Sequence, residues 1–155
     1  MHILRNQILI YSNVISCVLK VKNNNICTVL EQLRKKISDM DLKICSWIIA
    51  TTKKESDEFN DNISEMEFFI PIDRQIENYE DFNFKPQFKL INAVKMRHEG
   101  EIRDIKQSEL LLKEYLERHN LEPITGYYHS YIQALEESPD SSIVDIYVSI
   151  NTNVL

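Results

Sequence analysis

Val144-Asp145-Ile146-Tyr147-Val148-Ser149-Ile150 reads as a strand with an apolar face and a mixed one, and it has a counterpart in Met66-Glu67-Phe68-Phe69-Ile70-Pro71-Ile72. In both stretches an acid and then an aromatic, two apart, sit between residues of an apolar row. A side-chain period of two puts Val144, Ile146, Val148 and Ile150 on one face, for packing on a helix, and turns Asp145, Tyr147 and Ser149 the other way. By the same rule Met66, Phe68 and Ile70 lie under a helix, while Glu67 and Phe69 face outward from it. The repeat predicts that one unit occurs twice in the chain.

The elements upstream of each copy follow one order. Residues 8–21 are rich in β-branched side chains and read as one long or two broken strands, ended by Asn23-Asn24-Asn25. Ile26, Val29, Leu30, Leu33, Ile37 and Met40 recur at helical spacing, with Asn25 placed to cap a helix over 26–39. An apolar run over 42–51, a polar loop from 53 and a strand over 63–72 complete the first half. In the second half, residues 88–98 alternate as a strand, with Leu90, Val94 and Met96 on one side and Lys89, Ala93, Lys95 and Arg97 on the other. Ile105, Leu112, Tyr115, Leu116 and His119 form a helical stripe, and strand signals return over 124–134 and 143–150. Asp41-Leu42 and Asn120-Leu121 follow the two helices at matching places. The expected fold is α+β: one domain over 1–155, made of duplicated β-α-β-β units. Lobe one covers about 7–72, a linker 73–87, and lobe two about 88–150. Two such units can hide each other's sheet edges and faces.

Composition narrows the function. With 155 residues, 43% hydrophobic content and only two glycines and four prolines, the chain is expected to fold densely. The net charge of −6, with acids gathered at 53–61, 76–81 and 136–140, offers no basic stripe for phosphates, so no direct nucleic-acid partner is expected. No signal peptide or membrane-length apolar segment is evident, and Cys17, Cys27 and Cys45 form no C-x-x-C pair. A cytoplasmic protein with reduced thiols is expected, with no metal, no cofactor and no membrane contact.

Lobe two resembles a known family. Ala93-Val94-Lys95-Met96-Arg97-His98-Glu99-Gly100-Glu101-Ile102-Arg103-Asp104-Ile105 is similar to the GyrI-like pattern of a strand ending in His-x-Gly before a helix start. Leu116, Asn120-Leu121-Glu122-Pro123, Gly126-Tyr127-Tyr128-His129, Ser138-Pro139-Asp140 and Asp145-Ile146-Tyr147-Val148 follow in family order. The chain is thereby identified as resembling a stand-alone member of the GyrI-like superfamily of gyrase inhibitors and effector-binding domains. That resemblance implies a cleft between the lobes. In the multidrug sensors among such proteins, a buried carboxylate and aromatic rings there attract a lipophilic cation.

The expected ligand-binding residues are Asp145, Glu67, Tyr147, Phe69, Tyr127, Tyr128 and Trp47, with Tyr11 as a further candidate. Alternation allows only one of Tyr127 and Tyr128 to face the cleft. The competing reading pairs the acids with Lys95 or Arg97 on a neighbouring strand. His98 is expected in a structural hydrogen bond, and no Ser-His-Asp or Cys-His arrangement is readable, so no catalytic residue is assigned. The resulting expectation is a non-catalytic, small-molecule-binding protein whose ligand is largely apolar, with or without positive charge. The alternatives are a protein-interaction module, inhibitor-like or an accessory to a bacterial toxin-secretion locus as the resemblance implies, and a small hydrolase. An exposed sheet edge would let two copies pair as a homodimer.

Overall fold

The computed structural model describes residues 2–22, 25–55 and 63–151. Lobe one comprises β1 (Ile3–Lys22), α1 (Ile26–Asp39), β2 (Ile49–Glu55) and β3 (Ile63–Pro71). Lobe two repeats the order with β4 (Asn83–Gly100), α2 (Ile105–Arg118), β5 (Tyr128–Gln133) and β6 (Ser142–Ser149). All strand pairs are antiparallel, and the six close into a ring in the order β1-β3-β2-β5-β6-β4. The lobes join twice, through β1 with β4 and through β2 with β5, where Ala50 and His129 face each other.

Several boundaries differ from the sequence reading. β2 starts only at Ile49, because the apolar run before it makes an isolated bridge, Ile44 to Ile72, and no ladder. β5 starts at Tyr128, with Pro123 bridging Ile150 ahead of it. β4 begins at Asn83, so its first residues extend the ladder with β1 where a linker was expected. Asn25 stands at the start of α1, yet its side chain makes no capping bond; its carbonyl accepts from the Val29 N–H at 3.0 Å. The acidic loop expected over 53–61 lies, from residue 56, outside the described residues.

A straight 20-residue strand would span about 65 Å at about 3.3 Å per residue, far more than the width of a domain this size. β1 therefore coils, and asparagines make the turns. Asn6 and Asn13 in β1 and Asn92 in β4 have φ of 57°, 57° and 48°, a region Asn enters more readily than most residues. Each bend reverses which side chains face inward. Before Asn92, Phe88 and Leu90 point to the ring's interior; after it Ala93 does, while Val94 and Met96 turn under α2. The strict alternation expected for 88–98 thus fails at Asn92, which splits Leu90 from Val94 and Met96.

The duplication extends to individual bonds. The Ile72 N–H donates to the Asn13 carbonyl (2.8 Å) and the Ile150 N–H to that of Asn92 (3.1 Å). Each helix ends in a Schellman turn: Asp41 and Asn120 adopt positive φ, while the Leu42 and Leu121 N–H groups reach back to Ile37 and Leu116.

Among the described residues, three apolar clusters hold the ring. One lies under α1, includes Leu30, Leu33, Ile37, Met66, Phe68 and Ile70, and runs on into lobe two through Ile102, Tyr131 and Val144. Another lies under α2 and includes Val94, Met96, Leu112, Leu116, Ile146 and Val148. Fully burying one such side chain contributes about 1.5–3 kcal/mol, so truncating Leu30 or Leu112 would loosen its helix. The third fills the interior between the lobes. Cys17 and Cys27 belong to lobe one's core, and Cys45 is exposed; all three are free thiols. Among the described residues, no helix is long and apolar enough to cross a membrane.

Candidate functional site

The ring's inner face carries the residues singled out from the last strands. Phe69 on β3 and Tyr147 on β6 join Val14, Ile49, Phe88, Leu90 and Ala93, with Leu9, Tyr11 and Tyr128 packed alongside. Ring centroids lie 4.8 Å apart for Phe69 and Phe88, 5.6 Å for Phe88 and Tyr128, and 6.2 Å for Phe69 and Tyr128, in tilted and edge-on contacts. Both lobes contribute, so this basin of packed side chains straddles their junction. Burial, then the Asp145 charge and Tyr11, push the Tyr147 hydroxyl up to about 12, which keeps it a neutral hydrogen-bonding group at neutral pH.

Glu67 and Asp145 occupy equivalent places in the two lobes with different surroundings. The Asp145 side chain is 4% exposed; Arg97 Nε and Nη2 donate to its two oxygens at 2.8 and 3.2 Å, and Lys95 Nζ lies 3.4 Å away. That hydrogen bond and the carboxylate's charge raise the Arg97 pKa further. Glu67 is 19% exposed and has Lys85 Nζ at 3.8 Å. The two lysines also cover the aromatics: Lys85 Nζ stands 5.4 Å from the centre of the Phe69 ring and Lys95 Nζ 5.9 Å from that of Tyr147.

Other expected site residues fall elsewhere. Tyr127 turns toward α2 and packs with that helix's cluster, leaving Tyr128 as the member of the pair at the basin. Trp47 is half exposed in the segment before β2 and belongs to none of the three clusters.

Sequence reasoning missed Phe88 and Lys85, which lay in the segment around the supposed start of β4. It also missed Ser149 as a chemical group. Ser149 shares the inner side of β6 with Asp145 and Tyr147, is buried, and its Oγ has no hydrogen-bond partner among the described residues. A buried hydroxyl left without a partner calls for an explanation, and one is a polar group brought by a ligand.

Polar pairs also occur on the helix side of lobe two. The His98 Nε2–H donates to the Glu101 carbonyl at 2.7 Å, and Ser108 Oγ lies 2.7 Å from Nδ1, an arrangement that ties α2 to β4. His129 Nε2 meets Glu109 at 2.6 Å, and Lys106 joins Glu109 (3.7 Å) to Glu55 of lobe one. Burial raises the Glu109 pKa, but the hydrogen bond and charge of His129, with Lys106, outweigh it and hold the carboxyl below its ordinary value. A slot lined by Val21, Ile26, Ile105, Lys106, His129 and Tyr131 opens beside this cluster, outside the basin. No group of three or more potential metal ligands occurs among the described residues.

No protein-family model matches the chain, and no curated protein matches it in sequence. Solved structures do match in shape. The EcmrR C-terminal domain aligns at TM-score 0.69 and 14% identity over 94% of this chain and 98% of its own. The longer EcmrR chain in its DNA complex aligns at 0.72 and 13%, and this chain spans 57% of it. A hydrolase from Listeria innocua aligns at 0.54 and 10% identity, covering 95% of this chain and 92% of that one. SAV2435, solved bound to tetraphenylphosphonium, aligns at 0.52 and 11%, covering 97% and 93%. At these identities the likeness carries the fold alone: this chain is similar in architecture to EcmrR's C-terminal domain and to SAV2435.

Proposed function

We propose that this chain is a non-catalytic, GyrI-like small-molecule-binding protein of the cytoplasm whose inner basin takes a compact, largely apolar ligand. The observation that carries this reading is the cluster of Phe69, Phe88, Tyr128 and Tyr147 at the junction of the lobes, edged by Glu67, Asp145 and the unpartnered Ser149 hydroxyl. Aromatic walls give affinity by area and stacking, and a few polar groups fix orientation. The likeness to SAV2435, bound to an aromatic ion in its own structure, supports the same reading. A thermal-shift screen of compact aromatic compounds tests it. A ligand at 100 times its Kd should stabilise the wild type by about 2.7 kcal/mol, and Phe69→Leu and Tyr147→Leu should each weaken that response. Hits indifferent to both substitutions would place binding elsewhere and sink the proposal.

A second reading, a protein-interaction module, is favoured by one feature. Ile8 and Ile10 of β1 and Ile91 of β4 stand 64%, 47% and 50% exposed where β1 and β4 run together. A stoichiometric partner or second copy that is lost on Ile8→Ser with Ile91→Ser, while the small-molecule response persists, would favour this surface.

A further inference from the structure

We infer that the chain's own ammonium groups fill the two carboxylate–aromatic seats of the basin, so that it selects uncharged or acid-bearing aromatic molecules over lipophilic cations. This inference rests on the basin being the ligand site, as proposed above.

The two seats share one plan. In each, an acid is followed two residues later by an aromatic, and a lysine of β4 both approaches the acid and stands over the ring. Glu67, Phe69 and Lys85 make the first, with separations of 3.8 and 5.4 Å from the ammonium. Asp145, Tyr147 and Lys95 make the second, at 3.4 and 5.9 Å. An aromatic face beside a carboxylate is what a lipophilic cation would seek. Here a tethered cation already holds that place, and tethering gives it the advantage of high effective concentration over any free competitor. At the second seat Arg97 adds a bidentate contact, so two cations face one carboxylate. Glu99, further along β4, offsets part of the Arg97 charge. The seat is left tolerant of neutral molecules and mildly favourable to an acid, which the ammonium groups and the Ser149 hydroxyl can contact.

Tetraphenylphosphonium and tetraphenylborate have nearly the same shape and opposite charge, which isolates the sign. Calorimetric titration of the full chain should show the borate binding at least tenfold more tightly. Lys85→Met with Lys95→Met should raise phosphonium affinity at least tenfold and weaken the borate. Arg97 stays on Asp145 in that variant, so no buried carboxylate is orphaned. Circular dichroism and Tm check its folding, and Lys85→Met alone, at a half-exposed position, serves if the double variant is unfolded. Wild-type preference for the phosphonium would overturn the inference and leave the basin reading standing. An unchanged preference in the lysine variants would also overturn it. Binding of neither ion would remove both.

Discussion

The two lobes share a backbone plan but cement their helices differently. Where lobe one has Leu30 of α1 and Ala50 of β2 in its core, with Leu19 of β1 and Val29 of α1 packed against it, lobe two has His98 with Ser108 and Glu109 with His129. At the equivalent places lobe one holds α1 to its sheet with apolar side chains. The polar pairs of lobe two are therefore additions to the architecture, and buried charges are held only while each keeps its partner.

The largest expected effect comes from breaking one polar pair. His129→Ala leaves Glu109 with Lys106 alone and should cost about 3 kcal/mol in urea unfolding. Converting the pair to lobe one's chemistry, Glu109→Leu with His129→Ala, should recover most of that loss, because a matched apolar pair replaces a matched polar one. If the two substitutions simply add, the lobes are not interchangeable in this way.

The acids of the inner face extend the contrast. Arg97→Ala leaves a nearly dry Asp145 to Lys95 and should cost about 2 kcal/mol. Next in size is the strand bend. Asn92→Ala should cost about 1 kcal/mol for its positive φ, plus the bond from its side chain to the Ile150 carbonyl, while Asn92→Gly should recover the backbone part. Acid titration gives a finer test. The Glu109 carboxyl is depressed below 4.5 in the folded chain, so its contribution is complete above that value and is lost as pH falls through the folded pKa. The Glu109→Leu, His129→Ala protein should accordingly show a shallower loss of stability on the acid side. Smallest of all, Lys85→Ala should change stability by only a few tenths of a kcal/mol, since its pairing with Glu67 is long and partly solvated.

The repeat, the element order and the inward turn of Glu67, Phe69, Asp145 and Tyr147 were legible from alternation on β3 and β6. Those strands carry no left-handed residue, so a period of two holds through each. On β4 alternation misled, because a single Asn in the left-handed region exchanges the two faces and nothing in the hydrophobic pattern marks it. For the same reason Phe88 could not be assigned to the basin. Ion pairs were legible only as alternatives: Arg97 and Lys95 were evident neighbours of Asp145, but their hold on it depends on the β4–β6 register. Lys85 belonged to a segment whose extended conformation comes from pairing with β1. The Ser108–His98 and Glu109–His129 contacts join a helix to strands distant in sequence, and no local spacing encodes them.

The three thiols give the molecule a built-in chemical clock. Cys45 lies at the surface, whereas Cys17 and Cys27 are buried in lobe one's core, and burial pushes the Cys17 thiol up to about 11. A thiol reagent at neutral pH should take one equivalent at once and the other two only as lobe one opens. The delay between those phases would time the opening of lobe one through cysteines the chain already carries, and a ligand in the shared basin would lengthen it.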